Sequence, residues 1–434
     1  MSSDRFIRSR IIHFPDEAGT ALDAKWHYFD DAILWISKGR VKALDTTENL
    51  RRQLPPDAEI EHYPDQILIP GLIDMHVHYP QLEMIAAYGT QLLDWLNRYT
   101  FPVELKYAEK EYASKQAGRF LDQLLAQGTT TALVFATSAP SSVDAFFEQA
   151  QARNLRMLSG KVLMDRNAPA ALCDSATRAY DESAALIERW QNVGRLGYAV
   201  TPRFAPTSTP EQLSAAGKLL ADYPQTYLHT HLAENLDECA WVAQLFEQSR
   251  SYLDVYAQVG LVTDRAVFAH GIHLDRQDHA CLANAGASLC HCPSSNLFLG
   301  SGLFSINTAL RAGVSVGVGT DVGGGTNLSM LSTLGDAYKV QQMAGESLNP
   351  QQALYMATLG AARALQLDDK IGNFEVGKEA DCVLLDPSAL PQLQLRLESE
   401  MSIEDLLFSL MILADDRAVK QTWVMGEPAL VAAS

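Results

Sequence analysis

Short apolar runs alternate with longer amphipathic stretches through the middle of the chain. Each run is rich in β-branched residues and ends in polar ones, a pattern typical of a buried strand that leads into a loop. There are eight such runs, at residues 67–78, 129–137, 156–165, 196–205, 226–234, 266–274, 287–296 and 314–323. The stretches between them have helical periodicity. Eight strands that alternate with helices predict an α/β fold in the form of a closed parallel barrel, the (β/α)8 or TIM type.

A doubly wound sheet also alternates strands with helices, but it usually has fewer strands and a glycine-rich turn after the first one. In this chain the densest glycine cluster, at residues 323–325, follows the last run instead. The barrel is therefore the favoured architecture.

Both ends of the chain have a different pattern, in which short apolar runs are separated by turn residues. Residues 32–41 and 380–386 are examples, and both predict short strands. Each flank alone is too short to bury a core. We therefore predict that residues 1–66 and 371–434 pair into one small β-sandwich domain, and that residues 67–370 form the barrel.

Composition and charge narrow the class of protein and its partners. Of the 434 residues, 47% are hydrophobic and 20% are charged, which is typical of a globular protein. The formal net charge of −18 repels phosphate backbones and anionic bilayers, so we expect neither nucleic acid nor membrane as a partner. A neutral or cationic small molecule suits this field better. The scattered cysteines and the absence of a signal-peptide pattern predict a cytoplasmic protein.

Side chains typical of metal sites lie at the ends of four predicted strands. Residues two apart on a strand share a face, and the carboxyl ends of barrel strands surround the active site, so we expect these groups to converge. In chain order they are His76, His78, His229, His231, Glu234, His270 and Asp321.

Three imidazoles and one carboxylate suit Zn²⁺ with one position left for water, although iron accepts the same ligands. Such an ion lowers the pKa of bound water to about 7. Glu234, three residues after His231, is placed to carry protons. Two thiols at Cys290 and Cys292 have no second pair and are not expected to form a separate metal site.

Several motifs resemble those of a known enzyme family. PGLIDMHVH at residues 70–78 resembles the first-strand signature of the amidohydrolase superfamily, and GNFEVGKEAD at 372–381 resembles its return from the barrel to the small domain. Within that superfamily the resemblance is to the guanine deaminases. It rests on HYPQ at 78–81, LDWLNRYTFP at 93–102, TPRF at 201–204 and HCPSSN at 291–296. The similarity covers nearly the whole chain.

The resemblance implies a role for each of these groups. His76, His78, His231 and Asp321 would be the zinc ligands, with Glu234 as the proton shuttle. His270 would contact the attacking water rather than the metal. Gln81, Arg203 and Phe204 fall on base-binding positions, and His231, Glu234 and Asp321 would also contact the substrate. The family further implies a homodimer and a role in purine breakdown.

The resemblance also predicts one metal per chain and a minor role for His229. Relatives with two metals bridge them with a modified lysine at the end of strand four, where this chain has Arg203. Lys161 is expected early in strand three, at the opposite end of the barrel. His229, which precedes the expected ligand by two residues, is predicted to lie deeper in the barrel as a core residue or a support for the ligands.

Guanine fits the predicted pocket chemistry. Its O6 and N7 are adjacent acceptors that suit the arginine fork, whereas adenine offers an amino donor in place of O6. Such a donor–donor contact would cost about 1–3 kcal/mol. The expected reaction is hydrolytic deamination to xanthine and ammonia. In it, Asp321 takes a proton from water and Glu234 protonates the ring nitrogen beside C2.

Three other functional classes share some of these features. A related deaminase or hydrolase acting on cytosine, a triazine or an adenosine derivative would share the metal residues and differ in the pocket of Gln81, Arg203 and Phe204. A non-catalytic relative would be expected to lose ligands that this chain retains. The zinc deaminases with H-x-E and P-C-x-x-C motifs are excluded, because neither motif occurs. Whether Trp95 and residues 99–102 cover the pocket stays open at this stage.

Overall fold

The computed structural model describes residues 4–88 and 92–429. The outer ends of the predicted flanks, 1–3 and 430–434, lie outside the described residues, as does the side chain of Leu93 in the 93–102 motif.

Sixteen strands of the described residues divide between two sheets. In chain order they are β1 (Arg5–His13), β2 (His27–Ser37), β3 (Arg40–Thr46), β4 (Ile60–Pro70), β5 (Leu72–His78), β6 (Thr129–Phe135), β7 (Arg156–Gly160), β8 (Val162–Leu163), β9 (Gly197–Pro202), β10 (Tyr227–Leu232), β11 (Ala266–His270), β12 (Ser288–His291), β13 (Ser315–Val318), β14 (Cys382–Leu385), β15 (Val419–Val424) and β16 (Glu427–Pro428).

Along the chain, most of the α-helices lie between barrel strands, and the others lie within the first segment of the small sheet or follow the last barrel strand. In chain order they are α1 (Thr47–Arg51), α2 (Leu92–Trp95), α3 (Phe101–Glu104), α4 (Lys110–Ala126), α5 (Pro140–Ala152), α6 (Ala176–Trp190), α7 (Pro210–Asp222), α8 (Leu236–Leu245), α9 (Tyr252–Ala257), α10 (Arg276–Ala285), α11 (Pro293–Phe298), α12 (Ile306–Arg311), α13 (Met330–Met343), α14 (Pro350–Met356), α15 (Leu359–Ala364), α16 (Pro391–Leu397) and α17 (Ile403–Leu413). No helix of the described residues is both long and apolar enough to span a membrane.

The larger sheet is the predicted parallel barrel. Its strands follow the order β5, β6, β7, β9, β10, β11, β12 and β13, and β8 extends the third stave by pairing with β9. Backbone hydrogen bonds close the ring, from the Asp321 amide to the His76 carbonyl at 2.8 Å and from the His78 amide to the Val322 carbonyl at 2.9 Å. The prediction of an eight-stranded parallel barrel is confirmed.

The smaller sheet takes strands from both ends of the chain, as predicted. Its order is β16, β15, β14, β4, β1, β2 and β3, so β14 from the late segment pairs antiparallel with β4 from the early one. The sheet keeps β4 as far as Pro70, and the first barrel strand begins at Leu72. Gly71 lies between them, where a Cβ atom would overlap the side chain of Thr130, so only glycine fits at this passage.

A buried ion network joins the barrel to the segment that returns to the small sheet. Nε of Arg156 and Nε of Arg195 donate to the same oxygen of Glu379, over 3.0 and 2.9 Å. Arg195 also pairs with Asp381. All four side chains are buried, so the pairing offsets the cost of removing their charges from water.

Candidate active site

The barrel brings the predicted metal residues to one mouth. His76 and His78 end β5, His231 lies near the end of β10, and Asp321 follows β13. Strands one, five and eight therefore each supply donors from their carboxyl ends, where the active sites of α/β barrels lie. The loop after β13 is held in place because Thr320 Oγ1 donates to the buried Asp74 carboxylate at 2.5 Å.

Four donor atoms of this cluster could hold one cation. Ligand atoms of His76, His78, His231 and Asp321 all lie within 4.8 Å of one another. His76 Nε2 lies 3.2 Å from His78 Nε2 and 3.2 Å from Asp321 Oδ1, and His231 Nε2 lies 3.3 Å from His78 Nε2. Donors around a tetrahedral zinc, with bonds of about 2.0–2.1 Å, are about 3.3 Å apart, so the donor set fits that ion.

Hydrogen bonds on the far sides of the imidazoles orient two of them. His231 Nδ1 lies 2.7 Å from the Arg203 carbonyl, which can only accept, so Nδ1 carries the proton and Nε2 presents its lone pair. His76 Nδ1 lies 2.7 Å from His229 Nε2. His229 is thus buried behind a donor of the cluster, as its position in the sequence predicted.

Burial keeps the imidazoles neutral, which is the form that binds a metal. It lowers the pKa of His78 to about 3 and holds that of His231 well below its usual value. Burial opposes ionisation of Asp321, but the electrostatic interaction with the His76 ring and the hydrogen bond from it keep the pKa of that carboxyl well below its usual range. The cluster therefore consists of neutral nitrogen donors and one carboxylate.

Glu234 and His270 lie beside the four donors. His270 Nε2 is 3.4 Å from Glu234 Oε2 and 3.6 Å from Asp321 Oδ2, and its Nδ1 lies 2.8 Å from Asn296 Oδ1. Ser301 donates to Glu234 Oε1 at 2.9 Å. Burial, and then the charge of Asp321, raises the pKa of Glu234 to about 8, so this group carries a proton at neutral pH.

A second group of donors shares His76 and Asp321 with the first and adds His270 and Cys292. Cys292 belongs to the 291–296 motif, whose family resemblance implies a position near the pocket. Burial raises the pKa of its thiol well above the usual value. Because a thiol must ionise to bind a metal well, the set with three imidazoles is favoured.

The backbone is left-handed at three non-glycine residues around this cluster, Ala233, His270 and Asp321, with φ of 44°, 69° and 49°. Such conformations cost energy and are typical of positions where a side chain must be aimed precisely.

A cavity with about 400 Å³ of empty space, open to solvent, reaches the donors. All six side chains predicted to contact the substrate line it, whereas His76 and His270 lie deeper. The full lining is His78, Gln81, Trp95, Leu96, Arg203, Phe204, His231, Glu234, Ser295, Leu299, Asp321 and Gly324. The Trp95 side chain forms part of the cavity wall.

The model of the amidohydrolase family matches residues 67–429. The chain belongs to the amidohydrolase family. It is 49% identical to guanine deaminase of Escherichia coli over 418 residues, which cover 96% of this chain and 94% of that protein. The solved structure of the E. coli enzyme matches with a TM-score of 0.95 and 47% identity, and covers 98% of this chain and 99% of that one.

Two more distant structures show what related sites hold. A guanine deaminase from C. acetobutylicum, solved with guanine bound in its active site, matches this amidohydrolase with a TM-score of 0.88 and 28% identity over 99% of this chain and 100% of that one. An adenosine deaminase from Xanthomonas campestris with bound zinc matches with a TM-score of 0.84 and 27% identity over 99% and 93% of the two chains.

Two buried residues of this amidohydrolase, Glu104 and Ser301, were not predicted from the sequence. Glu104 ends α3, and both its carboxylate oxygens lie 2.9 Å from Nη1 of Arg203. Gln81 Nε2 also donates to Glu104, at 3.3 Å. The only signal in the sequence was its position two residues after the 93–102 motif. Ser301 was missed as well, because nothing near it in the sequence marks it.

Lys161 of this amidohydrolase takes no part in the donor cluster. The sequence analysis expected it early in strand three, whereas it lies between β7 and β8, the two halves of that stave. Its ammonium pairs with Asp174 and lies 3.5 Å from Glu182 of the outer helix α6. Its ammonium is therefore engaged with carboxylates that do not belong to the donor cluster.

Proposed function

We propose that this amidohydrolase is a guanine deaminase, which converts guanine and water to xanthine and ammonia. The observation that supports this most strongly is that one cavity contains both the imidazole–carboxylate donors and the Arg203 fork beside Phe204. Two relatives that match over 96% and 97% of the chain, at 49% and 42% identity, are a guanine deaminase and a probable guanine deaminase.

We further propose a single zinc ion per chain, held by His76, His78, His231 and Asp321. The spacing of the four donors and the neutral state of the imidazoles support zinc, and a related structure contains it. When bound, such an ion supplies Lewis acidity and lowers the pKa of a water molecule. Iron remains the alternative ion for the same ligands.

Arg203 would bind the edge of the base that carries O6 and N7. Its Nη1 is paired with Glu104, and Nε and Nη2 bond to no other group among the described residues. Those two donors form one edge of the planar guanidinium and match two adjacent acceptors. Phe204 would contribute an apolar wall, and Gln81 would contact a second edge of the base through its amide.

Asp321 and Glu234 would move the protons of the reaction. Asp321 Oδ1 faces His76 and His78, while Oδ2 lies on the side of His270, so the carboxylate can take a proton from water held near His270. Glu234 starts protonated and donates to the ring nitrogen beside C2 as the water oxygen attacks that carbon. The bond from C2 to the amino nitrogen then breaks as the C2 hydroxyl becomes a carbonyl. The nitrogen leaves as ammonia with the proton first taken by Asp321, and the hydroxyl proton passes to Glu234, which is protonated again for the next turnover.

The resemblance also supports two proposals that concern the cell rather than the site. We propose that the protein is a homodimer and that it works in the cytoplasm on free guanine. Six free cysteines agree with a reducing compartment.

The direct test is to incubate the purified protein with guanine, adenine, cytosine and a triazine in parallel, and to follow ammonia and the ring product. We expect xanthine and ammonia from guanine alone. Turnover of another ring with guanine left intact would overturn the substrate and leave the hydrolytic chemistry in place.

A further inference from the structure

Glu104 is a buried carboxylate that touches two residues of the base pocket. Its side chain has no exposed surface, and that of Arg203 is 3% exposed. Both oxygens of Glu104 accept from the same nitrogen, Nη1 of Arg203. A buried ion pair offsets the cost of desolvation only when its geometry is good and its remaining polar atoms have partners. Here Nη1 is paired with Glu104, and Arg203 lines the cavity, where a ligand could accept from its remaining donors.

The pairing decides which edge of Arg203 is left for a ligand. A guanidinium is planar, so fixing Nη1 fixes the directions of Nε and Nη2 as well. The ring of Phe101 lies beneath the guanidinium, with the Arg203 Cζ 5.4 Å from its centroid. Phe101 and Glu104 belong to the same short helix, α3, so this helix supports the arginine from two sides.

The same carboxylate determines the orientation of the Gln81 amide. A carboxylate only accepts, so the atom 3.3 Å from Glu104 is the amino nitrogen Nε2. A backbone N–H only donates, and the amide of Gly323 lies 3.1 Å from the other end, Oε1. Gln81 therefore keeps one N–H and one lone pair for the cavity, in directions that Glu104 and Gly323 fix together.

We propose that Glu104 is a positioning residue for base selection, acting through Arg203 and Gln81 without touching the base itself. The proposal rests on the proposed function of guanine deamination. The Glu104–Arg203 pair also cancels the arginine charge inside the wall, so that the pocket offers aligned donors to a neutral base and no free cation. Loss of Glu104 would leave the guanidinium able to turn and the Gln81 amide able to flip.

The test compares Glu104→Gln, Glu104→Asp, Arg203→Lys and the double variant Glu104→Gln/Arg203→Lys. For Glu104→Gln we expect kcat/KM for guanine to fall by about 10- to 100-fold, mainly through KM, with metal content unchanged. Glu104→Asp keeps the charge and shortens the side chain, so its kcat/KM should lie between those of the native protein and Glu104→Gln. In the Arg203→Lys background, adding Glu104→Gln should cost less than a third of its fold-change in the native background.

Glu379→Gln is the matched control, because Glu379 is also a buried carboxylate between arginines, outside the cavity. It should lower the melting temperature and leave KM for guanine within about twofold. Full additivity in the double variant, or a loss of kcat at unchanged KM, would overturn the positioning role. If Glu104→Gln does not fold, the KM of Glu104→Asp decides, because an unchanged KM contradicts the proposal. Absence of guanine turnover by the native protein would instead refute the proposed function.

Discussion

His229 Nε2 lies 2.7 Å from His76 Nδ1, and both rings are fully buried. The two imidazoles meet almost at right angles, with an interplanar angle of 85°. This contact fixes the ring of His76 so that its other nitrogen faces the three remaining donors. A residue behind a ligand can thus control metal affinity without binding the metal.

Replacing His229 with phenylalanine should therefore weaken metal binding while preserving the fold. Partners behind the ligands typically change metal affinity by about 10- to 100-fold. The measurement is zinc affinity in competition with a chromophoric chelator. His279→Gln serves as the control, because His279 is a half-buried residue of α10 outside the donor cluster. Equal zinc affinity of His229→Phe and native protein would show that the contact has no role in the metal site.

Glu234→Gln should abolish turnover and retain the metal. The amide keeps the shape and can still accept from Ser301, but it cannot deliver a proton to the ring. Loss of a general acid typically costs about 100- to 10,000-fold in rate. Steady-state rates and elemental analysis of the same preparation test both parts. A variant that loses its zinc would identify Glu234 as a ligand.

Removing the metal should stop the reaction and lower stability together. A ligand that binds only the folded state stabilises by about 4 kcal/mol when its concentration is 1,000 times the Kd. Dialysis against a chelator, followed by titration with Zn²⁺, should restore full activity at one ion per chain. The melting temperature should rise over the same titration. Full activity in a metal-free preparation, or a requirement for two ions, would contradict the proposed site.

Stability should depend on pH through His13 in the small sheet. Burial, and then the charge of His27, lowers the pKa of His13 to about 4 from its ordinary value of 6.5. Above pH 6.5 the imidazole is neutral in both the folded and the unfolded chain, so the free energy of unfolding does not change through this group. As pH falls from 6.5 towards 4, the unfolded chain binds a proton that the folded chain does not, and roughly 3 kcal/mol is lost at most.

His13→Phe should remove this dependence, since His13 packs among the rings of Phe29 and Phe374. The measurement is the difference in unfolding midpoint between variant and native protein at pH 7 and pH 5. We expect the variant to gain stability relative to the native protein at the lower pH. Taking the difference cancels the acid sensitivity of the metal site, which both proteins share. An equal difference at the two pH values would mean that His13 does not contribute.

Residues at strand ends were predictable because the barrel fold itself brings them together. His76 and Asp321 are far apart in sequence, yet both follow from the position of an apolar run and the polar residues that end it. The boundary at Gly71 between the small sheet and the barrel could not be predicted from the hydrophobic pattern. Residues 67–70 are buried in the small sheet and 72–78 in the barrel, so one apolar run passes through both without a break.

Glu104 could not be found by such reasoning. Its partner Arg203 is 99 positions away, and α3 has neither the length nor the periodicity that would reveal a buried face. Ser301 contacts Glu234 from a loop with no regular structure. Contacts of this kind depend on where a chain segment folds back over the barrel mouth, which neither alternation nor motif spacing encodes.

β4 leads through Gly71 into β5, the strand that bears His76 and His78, and β4 is paired with β14. During translation β4 can pair with β14 only after residues 382–385 have left the ribosome. The backbone amide of Gly71 likewise awaits the carbonyl of Asp381. A nascent chain stalled before that point would hold every histidine of the site, but β4, which leads directly into the first barrel strand, would still lack β14.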